Sequence, residues 1–241
     1  MNKFYGDKPK NKHLDEIIYS YFPENYKGVF LDIGAYDPII ISNSYYFELN
    51  KWDTYCFEAN PNLIPNLKMH RKNVFNCAVS NEDKEDIDFN IVYQNLNNDD
   101  WNKTASFSSI DLNYFKLPVF QEFINKKEYK IEKIKIKQRS LNSILQNELN
   151  FIDKIDVIDI DIEGNELDCL KGIDLHKYMP KVLLIENMNN NEEIGKYLEK
   201  YNYILDTQNS YHFNEFYILK SIDELQIKKS GIPNLKKINF I

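Results

Sequence analysis

The stretch GVFLDIGA, Gly28 to Ala35, is apolar at Val29, Phe30, Leu31 and Ile33, not at every second position. A short run of this kind, bounded by glycines, reads as a strand covered on both faces, and such strands belong to parallel sheets flanked by helices. Similar runs recur in TYCFE, VFNCAV from Val74, IDVIDIDIEG and KVLLIEN. Helical spacing separates them. Leu14, Ile17, Ile18 and Tyr21 fall at i, i+3, i+4 and i+7, and Pro23 ends that helix. Ser42 to Ser44 is placed to cap a second helix. Leu63 to His70, NELDCLKGI and the Ile194–Tyr197–Leu198–Tyr201 set supply others, and YILD with EFYILK reads as a closing strand pair. The alternation predicts an α/β fold with a doubly wound, mostly parallel sheet. At 241 residues the chain is expected to form one domain, spanning 1–241.

The rhythm breaks between Asn81 and Arg139. DIDFNIVY alternates as a half-exposed strand does, and QNLNNDDWNKTASFSS reads as a long polar loop. Long loops inside compact domains are often lids or binding loops, so residues 81–139 are expected to be an inserted substrate-binding or lid region.

Charge and cysteine content narrow the function. A net charge of -7 and a pI near 5.2 disfavour nucleic acid, which selects basic surfaces. The lysines of KIEKIKIK alternate with isoleucine and read as the solvated face of a strand. Cys56, Cys77 and Cys169 show no metal-ligand spacing and suggest buried, reduced thiols. With no apolar leader in the first residues and no run of membrane-spanning length, a cytoplasmic protein without membrane insertion is expected.

In an open α/β sheet, ligands bind beyond the carboxyl ends of the strands. Asp32 and Gly34 end the first strand, Glu58 the second, and Asp161 and Glu163 the fourth. Gly34 permits a tight turn and a close backbone approach. Glu58 lies roughly 25 residues beyond that turn, where a carboxylate accepts the hydroxyls of a ribose. Asp32 could hold the turn through backbone N–H groups or water, or face a cationic ligand. The turn DIGAYDP lacks G-x-G-x-x-G and carries two acids, which would repel a pyrophosphate. Acids suit a nucleoside bearing a sulfonium and an ammonium, which is S-adenosylmethionine.

Together, GVFLDIGAYDP with SNSYYFE, YCFEANPNLIPNL, NCAVSNED and VIDIDIEGNELDCLKGIDLHKYMPKVLLIEN resemble the FkbM-type S-adenosylmethionine-dependent methyltransferases. The resemblance implies a class I, Rossmann-like fold with a seven-stranded sheet, and methyl transfer to a hydroxyl, often of a sugar or natural product. It further implies that Asp32, Gly34 and Ala35 line the methionine end and that Glu58 holds the ribose. Asn43 matches the family's SNT stretch, Ala78 and Val79 would flank the adenine, and Asp161 would sit beside the methyl group. The proline of YDP replaces a glycine common in relatives, which weakens the carry-over at Tyr36 and Asp37.

A hydroxyl acceptor must lose its proton, and a positioned base is worth about 10²–10⁴-fold. Asp161, Glu186 and His212 are the catalytic candidates, with Glu163 able either to join them or to stabilise its helix. His13, His70 and His176 read as structural. Asp161, Glu186 and Asn187, at neighbouring strand ends, could hold Mg²⁺ or Mn²⁺ through hard oxygens. The expected substrate is a sugar, most plausibly nucleotide-linked for a surface polysaccharide, with Trp101, Tyr93 and Tyr114 to stack on it. Arg71, Arg139 and the lysines near Lys126 would meet its diphosphate. A small hydroxylated natural product, a non-catalytic S-adenosylmethionine-binding protein, a nucleic-acid methyltransferase and a nicotinamide enzyme are the alternatives.

Overall fold

A computed structural model describes residues 4–97, 100–102, 108–111, 113–118, 120–121 and 129–220. The first strands are β1 (Val29–Ile33), β2 (Asp53–Glu58), β3 (Val74–Asn76) and β4 (Ala78–Ser80). β5 (Lys84–Asn97), β6 (Asp100–Asn102) and β7 (Tyr129–Ser140) follow, then β8 (Val157–Ile160), β9 (Val182–Glu186), β10 (Tyr203–Leu205) and β11 (Asn214–Leu219). The α-helices with assigned bounds are α1 (Leu14–Tyr19), α2 (Tyr45–Leu49), α3 (Ile64–His70), α4 (Leu141–Asn147), α5 (Glu166–Lys171), α6 (Leu175–Tyr178) and α7 (Glu192–Glu199).

Seven strands form the main sheet in the order β10-β11-β9-β8-β1-β2-β3. All its pairings are parallel except those of β11, which runs antiparallel to β9 and β10. This is the doubly wound, Rossmann-like sheet of the class I methyltransferase type. The chain builds outward from β1 to β3 and returns to β8 on the other side, so the order reverses between β1 and β8. That reversal is where an open sheet leaves a crevice.

Side chains alternate across the sheet, and both faces are apolar. Leu31, Ile33, Ile158, Ile160, Leu183 and Ile185 pack with Leu141, Ile144 and Leu145 of α4, Cys169 and Leu170 of α5, and Ile194 and Leu198 of α7. On the opposite face Phe30, Val157, Val182, Leu184 and Phe216 meet Leu14, Ile17 and Ile18 of α1 and Phe47 of α2. Each fully buried Leu, Ile or Phe contributes about 1.5–3 kcal/mol, which explains why short helices suffice here. The alternation also puts Asp32 on the side of Phe30, toward α2.

Two expectations are corrected. VFNCAV is not one strand: Val74–Asn76 stays beside β2, whereas Ala78–Ser80 leaves to pair with β7 in a second sheet, ordered β4-β7-β5-β6. The polar stretch beginning at Gln94 is not wholly loop. Gln94–Asn97 extends β5, and Asp100–Asn102 pairs back on it as β6. The lysines of β7 behave as read: Lys133 and Lys135 pair with Asp88, and Lys137 with Glu85. Ile134 and Ile136 pack inward against Phe89, Ile91 and Tyr93.

Candidate active site

The crevice at the ends of β1, β2 and β8 is a cavity of about 960 Å³, counting its open mouth. All eight residues expected to bind the cofactor line it: Asp32, Gly34, Ala35, Asn43, Glu58, Ala78, Val79 and Asp161. The inserted region adds Phe89, Ser108 and Ile110 to the wall. The segment bearing those last two residues is fastened by an antiparallel bridge between Asn90 and Ser109, and the Ser109 hydroxyl donates to the Glu163 carbonyl at 2.6 Å. Gly34 has φ +93, and a Cβ there would stand 1.8 Å from the Asp161 carbonyl oxygen. The close approach that demands glycine is therefore to the chain itself.

Asp32 lines the cavity and is held from within the protein by side chains. It accepts a hydrogen bond from the Ser44 hydroxyl, and Ser44 Oγ in turn accepts one from Arg71 Nη2 at 2.7 Å. Ser44 occupies the N-cap position of α2 but makes no capping bond, because its hydroxyl is used on Asp32. Arg71 is the buried cation of this network, paired through Nε with Glu48 at 2.8 Å. Burial still raises the Asp32 carboxyl, although the charge of Arg71 lowers it. Asp159, beside Asp32 in register on β8, accepts from Asn43 Nδ2 at 2.8 Å. Burial, then the charge of Asp32, lifts Asp159 well above the usual carboxylate range.

Glu58 is buried at the end of β2 and fixed by backbone donors, Tyr36 N–H at 3.0 Å and Asn60 N–H at 2.7 Å, with Ala59 N–H beside them. A carboxylate has about four acceptor sites, which leaves room for a ribose hydroxyl. Burial pushes Glu58 up to about 7, the backbone bonds pulling the other way. In the unfolded chain it titrates near its ordinary 4.5. Between those values the folded state holds more protons, so raising the pH costs stability there. The ligand-free protein is therefore expected to lose on the order of 1–3 kcal/mol relative to Glu58→Gln between pH 5 and 8. Urea titrations of both proteins across that range check this; a constant difference would contradict it.

Beyond Asp161 lies a group of three acids. Asp161, Glu163 and Glu186 each offer a carboxylate oxygen within 4.8 Å of the other two. Asp161 is exposed through the cavity; burial of its surroundings raises its carboxyl, and a hydrogen bond from Glu186 pulls the other way. Glu186 is raised further, by burial and then by the charges of Asp161 and Glu163, and holds the proton when the pair shares one. Glu163 is buried with φ 59, and its Oε2 has no hydrogen-bond partner. Among the described residues it is Glu166, not Glu163, that bonds the following turn, accepting from Gly164 N–H at 2.8 Å.

Other expected residues lie elsewhere. Neither Glu186 nor His212 lines the cavity; His212 is exposed on the β10–β11 loop with its ring against Tyr211. Asn187 is turned away from the acids: its Oδ1 accepts from Asn191 N–H and its Nδ2 donates to Glu215. Arg71 is buried, and Arg139 pairs with Asp83 and Glu148, so neither meets a ligand phosphate. Tyr93 and Tyr114 are buried in apolar clusters and offer no stacking face. The Trp101 side chain and Lys126 lie outside the described residues. His13 bonds the Gly6 carbonyl, His70 the Asn66 carbonyl, and His176 packs on Tyr201, all structural as read.

Sequence reasoning missed Asp159, Asn60 and Gly6. Gly6 is bridged to Ile41, and a Cβ on it would come within 2.4 Å of Asn43 Oδ1. The segment before α1 thus packs against Asn43. Its only sequence signal is a glycine in a polar stretch. Asn43 Oδ1 is itself buried without a partner. An acceptor at Glu58 and a wall containing Asp32, Asp37, Glu58, Asp159, Asp161 and Glu163, with no Lys, Arg or His among the described residues, fit S-adenosylmethionine. Its ribose and positive charge meet those features in turn.

The family model described as the methyltransferase FkbM domain matches residues 32–213. The chain is also similar to a crystal structure of precorrin-6y C5,15-methyltransferase from Geobacter metallireducens GS-15. There the identity is 11%, the coverage 89% of this chain and 90% of that one, and the TM-score 0.37. No curated protein matches it.

Proposed function

We propose that this chain, which belongs to the FkbM methyltransferase family, is an S-adenosylmethionine-dependent O-methyltransferase acting on a sugar hydroxyl. The observation that carries the donor is the cavity wall, with Glu58 fixed at the end of β2 and six acids but no basic side chain among the described residues. S-adenosylmethionine, when bound, supplies an activated methyl group, so the protein need provide no covalent nucleophile. Glu58 would hold the ribose, Ala78 and Val79 the adenine, and Asp32, Gly34 and Ala35 the methionine end. Asp161 orients the acceptor hydroxyl and takes its proton as the oxygen gains the methyl carbon. Phe89, Ile110, Ile40 and Ile41 exclude water at the mouth. The inserted residues 81–139 act as the substrate-binding cover.

Family resemblance supports the sugar. The arginines expected to meet a diphosphate are engaged elsewhere, so a nucleotide sugar for surface polysaccharide synthesis would present only its sugar to this cavity. A small hydroxylated natural product is the second reading, favoured by Ile40 and Ile41, 70% and 50% exposed at the rim. No helix among the described residues is long and apolar enough to cross a membrane, and three buried free thiols suit a reducing cytoplasm.

Labelled S-adenosylmethionine with panels of free sugars, nucleotide sugars and sugar-free alcohols tests the acceptor. Transfer to sugars is expected; transfer to sugar-free alcohols alone would overturn the sugar reading. For the donor, bonds to a charged group contribute about 1.5–3 kcal/mol, so Glu58→Ala should weaken S-adenosylhomocysteine binding roughly 10- to 100-fold. Calorimetric titration of a folded variant with unchanged affinity would remove Glu58 from the ribose.

A further inference from the structure

We propose that Asp161, Glu163 and Glu186 form a binding site for one hard divalent cation, of the Mg²⁺ or Mn²⁺ class, at the acceptor end of the cavity. Two observations carry it. The three carboxylates converge from two segments, Asp161 and Glu163 on the turn between β8 and α5 and Glu186 at the end of β9, to within 4.8 Å of one another. Glu163 is 8% exposed, and its Oε2 lacks any hydrogen-bond partner. A buried polar oxygen without a donor is costly, and a second and third acid beside it deepen that cost.

Hydrogen bonds to Glu163 from the Tyr114 hydroxyl and to Asp161 from Glu186 relieve only part of it. The charges acting most strongly on the three acids belong to one another and to Asp32, Asp7 and Glu166, all acidic. Oxygen-only donors suit a hard cation that keeps part of its water, and not zinc or copper, which favour nitrogen and sulfur. The ligand set differs from the one the sequence suggests, because Asn187 is committed to Asn191 and Glu215 while Glu163 turns inward.

The cation's presence stands apart from methyl transfer. Its role there rests on the proposed function: it would lower the pKa of the acceptor hydroxyl, whose proton still leaves to Asp161 or to water.

The test is titration of MnCl₂ into the full chain after chelator treatment, with free Mn²⁺ read by electron paramagnetic resonance. One Mn²⁺ per chain is expected, displaced by excess Mg²⁺. Loss of one ligand charge in Glu163→Gln should weaken it about 10- to 100-fold. Circular dichroism verifies folding; should that variant not fold, Glu186→Gln, half-buried, carries the same expectation. No stoichiometric Mn²⁺, or unchanged affinity in the folded variants, would overturn the site. Parallel titration with S-adenosylhomocysteine separates the two proposals. Donor binding without Mn²⁺ defeats only the cation site, and Mn²⁺ without donor binding defeats only the donor assignment.

Discussion

Asp161→Asn is expected to lower methyl transfer about 10²–10⁴-fold, the range a positioned base supplies, while leaving the fold intact. Asparagine keeps the shape and one acceptor oxygen but cannot take a proton. Asp161 is suited to that role by position, since it lines the cavity while its neighbour Glu186 does not. Its carboxyl is also the one of the pair that stays open to water, leaving Glu186 to hold the shared proton. Donor binding should persist, because Glu58 and its backbone donors are untouched. The measurement is single-turnover transfer to whichever acceptor the sugar panel identifies, with donor affinity as control. A rate within threefold of the parent would assign the proton to another group. Glu186→Gln should lose less, since it acts on Asp161 without bordering the cavity.

The main sheet was legible because its strands carry their burial in their own residues. Val29 to Ile33 and Val182 to Ile185 are apolar on both faces, and the structure covers both. The inserted region was less so. Asparagine-rich strands such as Gln94–Asn97 owe their pairing to a partner strand and not to apolar alternation. VFNCAV looked continuous because hydropathy does not record where a chain leaves one sheet for another. At Cys77 it does so within one residue.

At the site, residues ending strands were placed by topology alone, which is why Asp32, Glu58 and Asp161 meet at one cavity. Side-chain direction was not available. Asn187 follows Glu186 and looked like its fellow ligand, yet adjacent positions at a strand end face opposite ways. Glu163 looked like a helix-stabilising acid until its left-handed φ turned it inward. The partner of Asp32 was out of reach for another reason: Arg71 is 39 positions away, at the end of α3, and nothing local marks it.

That arginine should be the most costly single side chain to remove. Its guanidinium is fully buried and reaches Glu48, Ser42 and Ser44, joining α3 to α2 and, through Ser44, to Asp32 on β1. Arg71→Met keeps the aliphatic bulk but leaves Glu48 and Asp32 buried without their cation. Breaking such a pair costs about 3–5 kcal/mol, against a total stability of roughly 5–15 kcal/mol for a domain. At about 2–4 °C per kcal/mol for a chain of this size, the melting temperature should fall by roughly 6–20 °C. Glu48→Met added to Arg71→Met should restore part of the loss, since two apolar side chains replace an ion pair, but not all, because Asp32 stays uncompensated. Donor affinity should fall too. Arg71 anchors Ser42 and Ser44 on either side of Asn43, which lines the cavity and whose Nδ2 holds Asp159. Thermal melts of the single and double variants, with S-adenosylhomocysteine titrations, decide it. A single variant melting within two degrees of the parent would show that Asp32 is stabilised by Ser44 alone, and that the acid inside the first strand needs no cation of the protein's own.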